Sequence, residues 1–132
     1  MKRTVQLLFL VLSILLVGCT KEEDVQSTTF EGAVRLGSRE VSFSEVGLEI
    51  FGRANEYGCF LFCEGVTKYN KVFPVESDGS FSIPVTTEEV EYFWLGLRIN
   101  GERVSSDCAP LSQCTDLNPG KDFTGLLITI VD

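Results

Sequence analysis

The chain has 132 residues, 19 acidic and 11 basic side chains, a formal charge of −8 and no histidine. Without histidine there is no Ser-His-Asp or Cys-His nucleophile pair, no H-E-x-x-H metal site and no imidazole acid–base chemistry. The acidic balance argues against nucleic acid as a partner and against docking on anionic lipid by charge.

The first stretch reads as an address. Lys2 and Arg3 precede an apolar run from Val5 to Val17, interrupted by Gln6 and Ser13. This is the layout of a secretory signal, and the run is shorter than the ~20 residues a membrane span needs. No A-x-A-like cleavage site follows. Leu16-Val17-Gly18-Cys19 instead resembles a bacterial lipobox, where signal peptidase II cuts before a diacylated cysteine. The resemblance implies a diacylglycerol and palmitate anchor on Cys19, with membrane attachment through that lipid and no other cofactor. An uncleaved anchor helix and a buried core helix are the alternatives. Thr20-Lys21-Glu22-Glu23-Asp24 has the composition of a solvated tether. Its Lys21-Glu22-Glu23-Asp24 also resembles the acidic export signal of Bacteroidetes-type surface lipoproteins, which implies an outer-membrane protein facing the medium.

The expected organisation is therefore a signal peptide over 1–18, a lipidated acidic linker over 19–28 and one domain over 29–132. Removing 18 of 132 residues leaves 114, enough for one domain with a modest core. The removed segment carries two basic and no acidic residues, so the mature charge moves from −8 to −10. Besides Cys19 there are Cys59, Cys63, Cys108 and Cys114. An even count in an exported chain reads as two disulfides. A four-thiolate zinc site is the runner-up, although C-x3-C and C-x5-C fit the usual knuckle spacing poorly.

From Phe30 onward, short alternating runs recur. Phe30, Gly32, Val34 and Leu36 alternate with Glu31, Ala33 and Arg35, which predicts a half-buried strand ended by Gly37-Ser38. Val46, Leu48 and Ile50 mark a second strand reaching about Arg53, with Glu45, Gly47 and Glu49 on its other side. Residues 54–67 are less regular and carry Cys59 and Cys63. Lys68 to Val75 reads as a third strand, and Ser77-Asp78-Gly79-Ser80 as a hairpin turn. Phe81 and Ile83 open a fourth strand, placed at an edge by Pro84. Glu91 to Ile99 is the longest strand, Asn100-Gly101 the clearest hairpin signal, and Arg103 to Ser106 a short return. Asp107 to Asp122 reads as a long loop and Phe123 to Val131 as the last strand. About seven strands closed by frequent turns predict an all-β fold, a single antiparallel β-sandwich.

Three motifs resemble transthyretin-like and carboxypeptidase-regulatory-like domains. Phe30-Glu31-Gly32-Ala33-Val34 is similar to their opening F-x-G-x-V, and Asp78-Gly79-Ser80-Phe81-Ser82-Ile83 to their D-G-x-F-x-I hairpin. Leu117-Asn118-Pro119-Gly120-Lys121 is similar to their ending. The 54–67 segment and the 107–122 loop depart from that pattern. The resemblance implies an immunoglobulin-like sandwich and a non-catalytic role in binding or assembly.

If every strand reverses direction, the connections 54–67, 85–89 and 107–122 share one end, the lower, with the start of the first strand. The turns near 37–44, 77–80 and 100–101 share the upper end. In an extended segment Cys59 and Cys63 stand about 13 Å apart at ~3.3 Å per residue, beyond the ~7 Å a disulfide spans. Cross-links from Cys59 and Cys63 to Cys108 and Cys114 are therefore expected. Two local bridges, Cys59–Cys63 and Cys108–Cys114, are the alternative. Two surfaces are candidates for contact. Phe60, Leu61 and Phe62 lie between cysteines at the end the tether leaves from. They face a membrane-embedded partner or fold back over the core. Tyr92 and Trp94 share the outer face of the longest strand with Gly96 and Arg98, opposite a core face of Phe93, Leu95, Leu97 and Ile99. They form an aromatic platform or pack beneath a loop. The acids Glu88, Glu89 and Glu91 read as a solvated face, and no pair suits the cleft a glycosidase needs. The expected function is that of a surface lipoprotein, not an enzyme. It acts as an accessory binding or assembly module for another envelope protein, with glycan binding as the alternative. An exposed Trp94 favours the glycan.

Overall fold

The computed structural model describes residues 25–55, 65–111 and 114–131. Cys19 and the segment before Val25, Cys59, Cys63 and Phe60-Leu61-Phe62 lie outside the described residues. The fold is all-β. Its strands are β1 (Gln26–Arg35), β2 (Val46–Ala54), β3 (Val66–Pro74), β4 (Ser80–Thr87), β5 (Tyr92–Ile99), β6 (Glu102–Val104), β7 (Ser106–Ala109) and β8 (Asp122–Ile130). They form two four-stranded sheets, in the orders β4-β1-β8-β7 and β3-β2-β5-β6. All neighbouring strands run antiparallel except the parallel pair β1 and β8.

Alternation produces the sandwich. Phe30 and Val34 on β1, Phe81, Ile83 and Val85 on β4, and Leu126, Ile128 and Ile130 on β8 point inward from one sheet. Val46, Leu48 and Ile50 on β2 and Phe93, Leu95, Leu97 and Ile99 on β5 meet them from the other. Phe30 and Phe93 are fully buried and meet edge to face across the sheets, centroids 5.4 Å apart. Burial of each such ring is worth on the order of 2–3 kcal/mol. Pro84 sits on the edge strand β4, as its missing N–H requires. The Asn100-Gly101 turn has φ of 49° and 83°, the paired positive values of a tight hairpin. β5, expected to be the longest strand, has 8 residues against 10 in β1; it buries the predicted four residues and turns the other face out.

Several expectations need correction. Among the described residues there are eight strands, because the chain crosses between sheets at Ser105. Glu102–Val104 closes the second sheet on β5, and Ser106–Ala109, where a short strand was expected to end at Ser106 and a loop to open at Asp107, pairs with β8 in the first. The first strand begins at Gln26, inside the expected linker. Thr28 there is fully buried, and its hydroxyl accepts a hydrogen bond from Gly120 N at 2.8 Å. β3 starts at Val66. The connection before β2 contains a 3₁₀ turn, Phe43–Glu45, closed by a capping box between Ser42 and Glu45. The expected cross-links from Cys108 and Cys114 to Cys59 and Cys63 are also overturned. Cys108 is bonded to Cys114, with Cα atoms 5.4 Å apart. The chain turns back after β7 and brings the two thiols within bonding reach, so Cys108 and Cys114 pair with each other. That bond also takes two ligands from any four-thiolate zinc site.

Strand polarity distributes the connections as parity requires. At the upper end Val34 N donates to Gly79 O (2.8 Å) and Asn100 N to Glu45 O (2.9 Å). At the lower end Glu91 N donates to Arg53 O and Leu95 N to Cys114 O, both at 2.9 Å, while Phe93 and Leu117 exchange backbone bonds. β1 starts at this lower end, beside Gly120.

Candidate functional site

The outer face of the β3-β2-β5-β6 sheet carries Phe51, Tyr92 and Trp94 together with Arg53, Arg98 and Arg103. In the β2–β5 register, Gly47 lies opposite Arg98, Glu49 opposite Gly96, Phe51 opposite Trp94 and Arg53 opposite Tyr92. Leu48, Ile50, Leu95 and Leu97 are buried between the sheets, so these four pairs stand on the other side. Trp94 is 40% exposed, among the most open large apolar side chains described. The Arg53 guanidinium lies 5.7 Å from the Trp94 ring centroid, and its Nη2 donates to Gly65 O at 2.7 Å. Tyr92 is half-buried at the lower margin, its hydroxyl next to Gly65. Trp94 is therefore open to solvent, whereas Tyr92 is partly covered.

The centre of the face is an ion cluster around Glu49, which is 1% exposed despite its position on the outer side. Arg98 donates through Nε to Oε2 and through Nη2 to Oε1 (3.2 Å). Arg103 donates through Nε to Oε2 (3.2 Å) and through Nη2 to Oε1 (2.8 Å). Two forks on one carboxylate give charge-assisted bonds in fixed geometry. Arg98 Nη1 also donates to Gly101 O (2.6 Å), tying the cluster to the hairpin. Arg103, from β6, crosses β5 to reach β2 and lays its guanidinium over the Phe51 ring, 4.6 Å from its centroid. Burial pushes the Glu49 carboxyl up. The bonds from Arg103 and Arg98 and their charges outweigh it and hold Glu49 below its ordinary value.

Glycines shape the surface. Opposite Glu49, Gly96 leaves open space: a Cβ there meets nothing within 4 Å. At Gly47 a Cβ would stand 2.5 Å from Val72 Cγ1, so this glycine lets Val72 lie across β2. Above it opens a shallow cleft of about 430 Å³ between Val72, Pro74, Ser44, Glu45, Gly101 and Arg98. The outward charges of the face are Arg53, Arg98 and Arg103 against the buried Glu49, a surplus of two positive charges in a chain of −8. Such a face can stack a ring against Trp94 and donate hydrogen bonds to an anion.

The remaining predicted acids have structural partners. Glu89 pairs with Lys68 at 3.3 Å, and Glu91 Oε2 accepts from Asn55 N at 3.1 Å. Asp78 caps its own turn through Ser80. Phe51, Arg53 and Arg103 were not singled out from the sequence. Phe51 and Arg53 alternate outward with Glu49, a signal that was available. The reach of Arg103 across a strand left no local trace.

Fold and face together define an all-β sandwich with one aromatic and arginine-bearing sheet surface. No family model, curated protein or solved structure matches the chain.

Proposed function

We propose that this protein is a non-catalytic, lipid-anchored module of the outer surface that binds glycan through the outer face of the β3-β2-β5-β6 sheet. The observation that carries the reading is the exposure of Trp94 beside Phe51 on a rigid central strand pair. A sugar ring has an apolar C–H face that stacks on indole and hydroxyls that need donors and acceptors beside it. Trp94 with flanking arginines supplies both. The signal layout and the lipobox-like Leu16-Val17-Gly18-Cys19 support anchoring through Cys19. The transthyretin-like resemblance rests on its three motifs. Of these, Gly32 and the Asp78-Gly79-Ser80 turn have clear structural work in the two-sheet fold. Full-length protein in detergent, passed over a panel of immobilised polysaccharides, is expected to be retained on at least one. Retention is expected to vanish in Trp94→Ala while the thermal midpoint stays unchanged. Equal retention of Trp94→Ala and wild type defeats the reading.

Accessory docking on a membrane-embedded envelope protein is the second reading. It is favoured by strand polarity: a tether entering β1 leaves from the end that carries the cysteine-bearing connections, beside Phe60-Leu61-Phe62 in sequence. Crosslinked copurification from the native envelope, lost in Phe60/Leu61/Phe62→Ser with an unchanged melting point, supports docking. A melting point lowered by several degrees with copurification intact assigns the three residues to the core.

A further inference from the structure

We infer that the ligand of the Trp94 face is a carboxylated polysaccharide, one built from uronic acids, rather than a neutral one. The inference rests on the reading of that face as a glycan site and deepens it. Its first support is charge. On β2, β5 and β6 the outward cations are three arginines, and the carboxylate between them, Glu49, is buried beneath two of them; the exposed Glu45 lines the adjoining cleft, where it accepts from Ser42 N and Asn100 Nδ2. Glu49 neutralises one positive charge of Arg98 and Arg103 together. The remaining charge is carried by Arg103, whose side chain is 61% exposed, at one side of Trp94, and by Arg53 on the other. In a chain of −8 such a surplus on a single face matches an anionic ligand.

The second support is geometry. Arg103 is held flat on Phe51 and clamped by Glu49, so its guanidinium is fixed before a ligand arrives. Glu49 takes the Nε and Nη2 donors, and the edge bearing Nη1, held in one orientation, is left to donate to a ligand carboxylate at little cost in rotamer freedom. The open space at Gly96 lies between Trp94 and Arg98 on the same strand and opposite Glu49. A ring stacked on Trp94 can bring a substituent over that space toward Arg103. The third support is shape. Among the described residues the face is open and the adjoining cleft is shallow, unlike the enclosed pocket that anchors a peptide side chain. A polymer of flat, repeating, charged rings suits it better than an acidic polypeptide.

The test compares polygalacturonate with its fully methyl-esterified form, which keeps the backbone and masks the carboxylate. Full-length protein in detergent micelles is titrated with each by calorimetry, with polyglutamate as a third probe. Polygalacturonate is expected to bind at least about tenfold more tightly than the ester and to lose about tenfold between 50 and 500 mM salt. Arg103→Gln and, independently of the Glu49 cluster, Arg53→Gln are each expected to weaken polygalacturonate severalfold and leave the ester unchanged. Trp94→Ala is expected to weaken both. Equal affinity for the acid and the ester overturns the inference and leaves the glycan reading standing. Binding of polyglutamate as tight as that of polygalacturonate overturns it in favour of an acidic peptide. Failure of every polymer to bind, with Trp94→Ala silent, removes both the inference and the reading beneath it.

Discussion

The two outer faces of the sandwich are built on similar cores and differ in what they present. On the β4-β1-β8-β7 sheet the exposed outward residues include Glu31 and Arg35 on β1 and Ser82, Pro84 and Thr86 on β4. These are short or self-sufficient in water. On the β3-β2-β5-β6 sheet the outward residues include Phe51, Trp94, Val72 and three arginines around a buried carboxylate. An exposed large ring and a buried charge are the two surface observations that ordinary folding does not require. Glycine use separates the faces as well. At Gly32 the backbone of β8 presses close: a Cβ would lie 2.7 Å from Leu126 C and 2.8 Å from Leu126 Cβ. The register shifts there, and Gly125 takes the positive φ of 67° that the bulge needs. At Gly96 nothing approaches at all. One glycine serves the packing of the first sheet, and the other leaves room on the surface of the second.

The largest expected effect breaks the first sheet. Gly32→Ala places a methyl against backbone that cannot move without separating β1 from β8. We expect a loss of about 3 kcal/mol or more, read from the urea midpoint of refolded protein. A loss under about 0.5 kcal/mol would show that β8 relaxes freely and that Gly32 has no packing role.

On the other sheet the matching perturbation is Glu49→Gln. It halves the acceptors available to two guanidinium forks and removes their counter-charge. Arg98 and Arg103 are partly exposed and recover water, so the loss is on the order of 2 kcal/mol rather than that of a fully buried pair. The same group sets a pH dependence. Its carboxyl titrates below the ordinary glutamate value of 4.5 in the folded chain. Its contribution is therefore complete above that value and is lost as pH falls through the folded one. Wild type is expected to lose its advantage over Glu49→Gln progressively as pH falls below 4.5. A constant difference between the two proteins from pH 7 to pH 3 would assign the effect to packing. The third perturbation, Cys108→Ser, frees a short loop at the lower end and is expected to cost about 2 kcal/mol by loop entropy. Peptide mapping without reductant is expected to find Cys108 joined to Cys114.

Most of the architecture was legible because it is local. Alternation at Phe30–Val34, Val46–Ile50 and Phe93–Ile99 marked the inward faces, Asn100-Gly101 and Asp78-Gly79 the turns, and Pro84 an edge. What escaped was not local. Ser106–Ala109 is too short to show a period, and its pairing with β8 depends on a change of sheet at Ser105. Thr28 looked like linker because its buried hydroxyl is satisfied by Gly120, 92 residues away. Glu49 falls on the polar side of its strand, with Glu45 and Gly47, and nothing local marks it as buried. Only the arrival of Arg98 and Arg103, 49 and 54 residues later, buries it. Trp94 could be placed on the outer face from parity, but its exposure depends on what covers β5, which parity does not state.

The smallest expected effect on stability bears most directly on the surface. Gly96→Ala adds a methyl to a strand interior, where alanine restricts the unfolded chain more than glycine, and the methyl meets no neighbour within 4 Å. Folding stability is therefore expected to change by less than about 1 kcal/mol, with any change toward greater stability. If the open space beside Trp94 receives part of a ligand, the methyl occupies it, and affinity for the bound polysaccharide is expected to fall about tenfold at unchanged melting temperature. Gly125→Ala, on the first sheet, is the control. It also meets nothing within 4 Å, but it sits at a positive φ and is expected to destabilise without altering affinity. Gly96→Ala that binds as wild type would confine recognition to Trp94 and the arginines and remove the glycine from the site.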